Sequence, residues 1–223
     1  MNPLQIIEQQ FNFRYPPLYH QLYTDGMLEW GTRGPTWITG QYPLLRENPP
    51  LLLFANDFEL TNLQHIAGIL DEWNDPDYWM HIKTGLRFIP FAQNGAGDMY
   101  CFFPTEQQDE DIPIVFLWHD ANRTEYKAKN LQDFIFKCML EAVADIEEAE
   151  YGLLTTGDFT ENRHNFLKTH QKYLTPEQQH IIEKIYQAGQ TENPLISAEE
   201  LVSIIHKEIG FEKLDLEFPY QQE

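Results

Sequence analysis

Positive charge is scarce in this sequence. Its 223 residues carry 15 Lys and Arg against 35 Asp and Glu, which gives a formal net charge of −20 at pH 7. Recognition of nucleic acid through a basic face depends on clustered cations that neutralise phosphates. Adsorption to an anionic membrane surface depends on the same kind of cluster. The composition therefore disfavours both of these functions.

Cysteine is equally scarce, since Cys101 and Cys138 are the only two in the chain. This count excludes a disulfide framework and a cysteine-rich zinc site. Because each of the two cysteines lies within an apolar segment, we expect both to be buried thiols in a reducing compartment.

Long apolar runs are missing as well. The longest, such as residues 51–55 and 114–118, are about five residues long, whereas a membrane-spanning helix needs roughly 18. The N-terminal sequence Met1-Asn2-Pro3 is not part of a basic patch followed by an apolar stretch, so no secretory signal is predicted. We therefore expect a cytoplasmic protein.

Sequence motifs of catalysis and metal binding are also absent. No Gly-x-Ser-x-Gly nucleophile motif occurs, and the segment 94–98 lacks the lysine of a phosphate-binding loop. His119 and Asp120 follow a predicted strand and are possible metal ligands, but no further ligand motif lies near them in the sequence. We favour a structural histidine and a turn aspartate over half of a metal site. The sequence predicts no catalytic residue, no metal site and no cofactor.

What the sequence does contain is a mixture of helix and strand patterns over its first two thirds. The Asn94-Gly95 pair between two apolar runs predicts a β-hairpin, and the run 112–118, apolar on both faces, predicts a central strand. The stretch 31–50 is expected to be irregular. The predicted helices cover 3–11, 17–24 and 60–73, the predicted strands cover 51–54, 86–91, 99–103 and 112–118, and a long helix begins after Asn130 and extends to 146 or beyond.

The pattern changes after Gly152, where only helices are predicted. Thr175 and Ser197 each begin a capping box, which marks the first turn of a helix. The sequence therefore divides into a mixed domain, residues 1–151, and a C-terminal all-helical extension, residues 152–223.

Acidic residues are clustered at two places. One cluster lies in the loop before the predicted central strand, and the other occupies the predicted last turns of the long helix, with no base between residues 138 and 150. Acids near a helix C-terminus oppose its partial negative charge and repel one another, so folding alone does not favour them. Two interpretations remain open, a solvated face that aids solubility and a docking surface for a basic partner. The candidate contact residues are Asp109, Glu110, Asp111, Glu141, Asp145 and Glu148.

Four segments, taken in order, resemble the SUKH superfamily, which is named for a fungal cell-wall-synthesis regulator and includes bacterial immunity proteins. The segments are 13–22 (FRYPPLYHQL), 88–92 (FIPFA) with 95–102 (GAGDMYCF), 115–120 (VFLWHD) and 131–135 (LQDFI). The likeness covers about residues 1–150. Its residue matches are Pro17, Tyr19, Leu22, Gly97, Asp98 and Trp118.

The resemblance implies an α+β fold, with a mostly antiparallel sheet and helices packed against it. It also implies a protein that binds and neutralises a toxin, often a nuclease or deaminase delivered between cells. Turn geometry accounts for Gly97 and core packing for Trp118, so neither match assigns a binding role. Residues 152–223 lie outside the likeness, and Asp25-Gly26 stands where many members have Asn-Gly-Gly.

The leading hypothesis is a non-enzymatic cytoplasmic immunity protein that blocks a basic toxin by filling its substrate groove with carboxylates in place of phosphates. It has no direct nucleic-acid or membrane partner, and its oligomeric state is open. The first alternative is a regulatory scaffold that binds an endogenous partner. The second is an enzyme, since a fold does not exclude a site grafted onto it. A polar pocket that brings Asp98, His119 and Asp120 within ligand distance would favour the enzyme.

Overall fold

The computed structural model describes residues 2–31, 34–144, 152–191 and 193–222. The helices in these ranges are α1 (Pro3–Phe11), α2 (Pro17–Thr24), α3 (Tyr42–Leu45), α4 (Leu63–Trp73), α5 (Leu131–Glu141), α6 (Phe159–His170), α7 (Pro176–Tyr186) and α8 (Ala198–Ile209). The strands are β1 (Glu59–Leu60), β2 (Ile89–Gln93), β3 (Met99–Phe102), β4 (Ile114–Leu117), β5 (Thr124–Ala128) and β6 (Glu217–Phe218). None of the helices in the described ranges combines the length and the apolar character that crossing a membrane requires.

The six strands form one antiparallel sheet in which the spatial order follows the chain order, β1 to β6. The prediction of a central strand within 112–118 is confirmed, because β4 lies inside the sheet and all four of its residues are buried. The α+β class with C-terminal helices is also confirmed. One detail differs from the predicted all-helical extension, since β6 returns to the sheet after α8 and pairs with β5. A two-residue strand is too short to show the alternation that predicts strands.

The chain divides into two compact units, each assembled from separate stretches of sequence. The first unit combines Met1–Gln21, Glu59–Leu131 and Phe211–Glu223, and the second combines Leu22–Phe58 and Gln132–Gly210. The whole sheet belongs to the first unit. The predicted domain boundary after residue 151 falls inside the second unit, and it remains a prediction.

The sheet of the first unit has buried side chains on both faces. Successive side chains along a strand point to opposite faces, and the consecutive residues Cys101 and Phe102 of β3 are both buried. Phe102 packs edge-on against the rings of Tyr15 and Tyr19, at centroid distances of 5.7 and 5.1 Å. Ring pairs of this kind contribute about 0.5–1.5 kcal/mol each beyond the area that they bury. The two residues next to Phe102 in the chain, Cys101 and Phe103, belong to a different buried cluster. This cluster comprises Met80, Phe88, Cys101, Phe103, Val115, Leu117, Tyr126 and Tyr220.

The predicted hairpin is confirmed as the connection between β2 and β3, and the side chain of Asn94 shapes its turn. The amide of Asn94 donates to the carbonyl of Asp98 over 2.9 Å. The side-chain oxygen of Asn94 accepts from the amides of Ala96 and Asp98 over 3.0 and 2.8 Å. Gly97 has a φ of 96°, which residues with a Cβ rarely adopt. The turn is therefore specified by residues within the turn itself.

The second unit has a core of helices around a buried turn at residues 51–54. Phe166 of α6 packs edge-on against Phe54 of this turn, at a centroid distance of 5.7 Å. The hydroxyl of Tyr186, at the end of α7, donates to the carbonyl of Met139 in α5 over 2.7 Å. Burial of Tyr186 thus leaves its polar atom with a partner, as a buried hydroxyl requires.

The prediction of a strand at residues 51–54 is wrong, because this apolar run forms the buried turn. The amide of Leu51 donates to the carbonyl of Met27, and the amide of Leu53 donates to the carbonyl of Pro50. Leu52 has a φ of 53°, in the left-handed region. A short apolar run indicates burial, but it does not distinguish a strand from another buried conformation.

The prediction that the helix after Asn130 extends to residue 146 or beyond is wrong over residues 142–144, since α5 ends at Glu141. Its remaining part, from residue 145 onward, lies outside the described residues. The carbonyl of Val143 accepts a hydrogen bond from the amide of Leu195 over 2.8 Å, and Ala144 forms an isolated β-bridge with Ile196. After the last helical bond, from the amide of Ala142 to the carbonyl of Cys138, the chain thus tightens and pairs with the segment before α8.

Capping signals predict two helix starts correctly, whereas the helix predicted from residue 60 begins at Leu63, because Leu60 belongs to β1. Both predicted capping boxes are present, with Thr175 before α7 and Ser197 before α8. The stretch 31–50 contains more helix than expected, since a π-helical turn at Trp37–Gln41 leads into α3.

Candidate functional site

Asp109, Glu110 and Asp111 form an exposed turn between β3 and β4 in the first unit, and we call these three residues the acidic turn. The backbones of Gln108 and Asp111 exchange two hydrogen bonds of 2.9 Å, which close the turn. Asp109 has a φ of 54°, and Asp111 accepts from the side-chain amide of Asn130 over 2.9 Å. Three carboxylates are therefore presented to solvent on a closed piece of backbone.

Glu141 lies at the end of α5 in the second unit, where it is partly exposed. Its carboxylate is 3.4 Å from the ammonium of Lys137, one helical turn earlier, and its carbonyl accepts from the side chain of Asn56 over 3.2 Å. An ion pair at this spacing contributes about 0.3–0.5 kcal/mol, so Glu141 also stabilises its own helix. The other two candidates of this cluster, Asp145 and Glu148, lie outside the described residues.

The structure brings together three polar residues of the first unit, Asp98, His119 and Asp120, which we call the polar cluster. One potential ligand atom from each side chain lies within 4.8 Å of the other two. Asp98 immediately precedes β3, and the other two residues follow β4. Because β3 and β4 are antiparallel with Met99 opposite Leu117, these positions meet at the same end of the sheet.

Asp98 holds His119 in position through two hydrogen bonds. Its Oδ1 accepts from the amide of His119 over 3.0 Å and lies 2.7 Å from the ring Nδ1. Its Oδ2 accepts from Asn94 Nδ2 over 2.9 Å. The side chain of Asp98 is 8% exposed and that of His119 is 43% exposed, so a buried carboxylate anchors an imidazole that reaches solvent.

The protonation of Asp98 reflects opposing effects. Burial raises the pKa of its carboxyl group, but the hydrogen bonds from the His119 amide and ring and from Asn94 together outweigh burial. The pKa of Asp98 is therefore lowered from its ordinary value, because these donors favour the charged form.

The sequence analysis names these three residues together only as a condition that would favour an enzyme. It does not predict that they meet, because Asp98 lies 21 positions before His119. The signal that could have joined them was the pairing of the two predicted strands. In an antiparallel pair, the residue before one strand lies beside the residue after the other. The proximity of the three side chains is what the enzyme alternative requires. It identifies two carboxylates and an imidazole without identifying a reaction.

A cleft of about 700 Å³ in the first unit is lined by residues of α1, the end of α4 and the segment 81–89. Its lining includes the cations Lys83 and Arg87. The guanidinium of Arg87 donates to the carbonyls of Phe11 and Asn12 at the C-terminal end of α1. Because a cation there compensates the partial negative charge of the helix end, Arg87 serves the stability of α1.

The structure thus contains an α+β fold with two candidate sites on strands β3 and β4 of its antiparallel sheet. The acidic turn connects these two strands, and the polar cluster lies at one end of them. The family model described as SMI1 / KNR4 family (SUKH-1) matches residues 2–137. The chain belongs to this family, so the resemblance to the SUKH superfamily is confirmed. The family includes toxin immunity proteins, which generally have no enzyme activity and have a protein toxin as partner. Searches of curated proteins and of solved structures gave no match.

Proposed function

We propose that this protein is a cytoplasmic immunity protein without enzyme activity, which binds and neutralises a basic protein toxin. The observation that carries the proposal is the family match over residues 2–137, because the family includes toxin immunity proteins. The formal net charge of −20 supports it, since a strongly anionic protein associates rapidly with a cationic one. A nuclease or a nucleic-acid deaminase fits this charge, because its substrate groove binds phosphates with cations.

The acidic turn is the contact surface that we propose first. Its three side chains are exposed, and none of them forms an ion pair with another residue of the described ranges. The closed backbone between Gln108 and Asp111 holds the carboxylates close together before binding, which reduces the entropy lost on association. The turn would enter the toxin's groove with carboxylates in place of phosphates. Glu141, Asp145 and Glu148 are proposed separately as contact residues in the second unit.

Copurification with the toxin encoded beside this gene is the direct test. A charge-reversed variant tests whether the acidic turn contacts the toxin. A matched control measures the effect of net charge alone, because both variants change the formal net charge by the same amount. The turn variant carries Asp109→Lys, Glu110→Lys and Asp111→Lys, and the control carries Glu29→Lys, Glu47→Lys and Glu212→Lys, three acids that are also exposed.

We expect the turn variant to bind the toxin at least about tenfold more weakly, mainly through slower association, and the control to change affinity by no more than about threefold. Added salt should slow the association of the wild type, because exposed charges are screened. Undiminished binding by the turn variant would remove the acidic turn from the contact surface. If no complex forms with the neighbouring toxin and an endogenous protein copurifies instead, the regulatory scaffold replaces the immunity protein as the function.

A further inference from the structure

The polar cluster carries an excess of negative charge that the protein itself does not balance. Asp98 and Asp120 both lie within 4.8 Å of one atom of the His119 side chain, and neither carboxylate forms an ion pair with a Lys or Arg of the described residues. Two like charges beside one imidazole disfavour each other unless a cation joins them.

Two of the three ligand groups, Asp98 and His119, are also held in place before any ion arrives. Asp98 is fixed by Asn94 on one carboxylate oxygen and by the amide of His119 on the other. The second interaction ties the backbone of His119 to the carboxylate that its own ring contacts at 2.7 Å. Asp120 follows directly in the chain and is exposed. The preorganised pair of Asp98 and His119 reduces the cost of ordering the ligands of an ion.

We propose that Asp98, His119 and Asp120 bind one divalent transition-metal ion, with Zn²⁺ as the best match. Zn²⁺ accepts mixed imidazole and carboxylate ligands, whereas Mg²⁺ and Ca²⁺ prefer oxygen ligands alone. The ion takes the place of the proton shared by the His119 ring and Asp98. Bonds from the metal to nitrogen and oxygen form, and the proton leaves to solvent.

This site is independent of the proposed toxin contact, since it uses none of the acids of the acidic turn. Three protein ligands leave a fourth tetrahedral position for water or for a group from a partner. Among the residues that the structure describes, the polar cluster is the one group of three such side chains with this spacing. The site is therefore the place on the described chain where specific binding of Zn²⁺ is expected.

The experiment uses the full chain after removal of metal by a chelator. Zn²⁺ alone is titrated into the protein by calorimetry, and Co²⁺ serves as a spectroscopic probe because its visible absorption reports its coordination geometry. The test variants are His119→Ala and Asp120→Asn. The matched controls are His65→Ala and Asp77→Asn, which alter an exposed histidine and an exposed aspartate elsewhere in the first unit.

We expect the wild type and both controls to bind one Zn²⁺ per chain with the same affinity. His119→Ala should weaken binding by about 100-fold and Asp120→Asn by about tenfold, in the range seen when metal-site residues are changed. Asp120 is exposed, so its variant keeps the test valid if His119→Ala fails to fold. Absence of saturable binding by the wild type would overturn the proposal. Wild-type affinity in Asp120→Asn and in a folded His119→Ala would overturn it equally.

Discussion

The amide of Leu52 donates a hydrogen bond of 2.9 Å to Nε2 of His170, although 118 positions separate the two residues. Both residues are fully buried. Because Nε2 accepts, the ring proton lies on Nδ1, where the carbonyl of Phe166 accepts it over 3.1 Å. Leu52 belongs to the region that matches the family, and His170 lies beyond it. Residues after 151 thus take part in the core of the second unit.

A chain that ends at residue 151 is expected to lose the stable fold of the second unit. Without α6 and α7, the turn at 51–54 loses its cover, and its four residues are at most 1% exposed in the full chain. Urea unfolding followed by circular dichroism, together with a dye that binds exposed apolar surface, measures this effect. A fragment that unfolds at the urea midpoint of the full chain would contradict the expectation. That result would support the predicted boundary after residue 151.

The buried imidazole of His170 makes stability depend on pH. Burial lowers its pKa to about 3, whereas the ring has a pKa near 6.5 in the unfolded chain. Between these values the unfolded chain binds a proton that the folded chain does not, so the free energy of unfolding falls as the pH falls. His170 therefore contributes at most about 1.4 kcal/mol per pH unit to the slope of the free energy of unfolding against pH.

His170→Gln should remove this contribution, because glutamine offers the Leu52 amide an acceptor and does not titrate. Urea unfolding at several pH values between 6.5 and 4 would show a shallower pH dependence than in the wild type. His65→Gln is the control, since this histidine is exposed and should leave the slope unchanged. Identical slopes for His170→Gln and the wild type would show that the ring does not resist protonation in the folded state.

The hairpin at 94–98 and the turn at 51–54 differ in where the residues that determine them lie in the chain. This difference explains how far the sequence predicts the fold. The hairpin could be predicted because Asn94 and Gly97 set the turn from within it. The turn at 51–54 could not be predicted, because the partner of its Leu52 amide is a side chain 118 positions away. An apolar run indicates that a segment is buried. The conformation of the run depends on residues that pack against it from distant parts of the chain, which the local pattern does not contain.

The candidate sites show the same dependence on distance along the chain. The acidic turn is visible in the sequence because its three acids are consecutive. The polar cluster depends on the register of two strands, which brings Asp98 to His119. The end of α5 could not be predicted, because the pairing of Val143 with Leu195 is not encoded locally. The candidate acids beyond Glu141 lie outside the described residues.

Replacing the buried carboxylate of the polar cluster should destabilise the first unit. Asp98→Ala leaves the amide and ring of His119 and the side chain of Asn94 without their acceptor. Hydrogen bonds to charged groups contribute about 1.5–3 kcal/mol each and are not additive, so we expect a total loss of about 2–4 kcal/mol. The control Asp77→Ala, at an exposed position, should change stability by less than about 0.5 kcal/mol.

The contribution of Asp98 also has a predicted pH window. Its pKa is lowered in the folded state, so its stabilisation is present above the ordinary carboxyl pKa and is lost as the pH falls through the lower folded value. Urea unfolding at neutral pH and at about pH 3 should therefore show a smaller difference between wild type and Asp98→Ala in acid. A difference that is constant across this range would assign the loss to packing and not to the charged carboxylate.

The packing of Phe102 against the rings of Tyr15 and Tyr19 predicts a large effect of truncation there. Phe102→Ala removes a fully buried ring and leaves a cavity, which should cost about 3–5 kcal/mol. Leu44→Ala is the control, because the Leu44 side chain is 71% exposed and its loss should cost less than about 0.5 kcal/mol. Urea unfolding measures both. If Phe102→Ala were as mild as the control, this face of the sheet would not be a packed core.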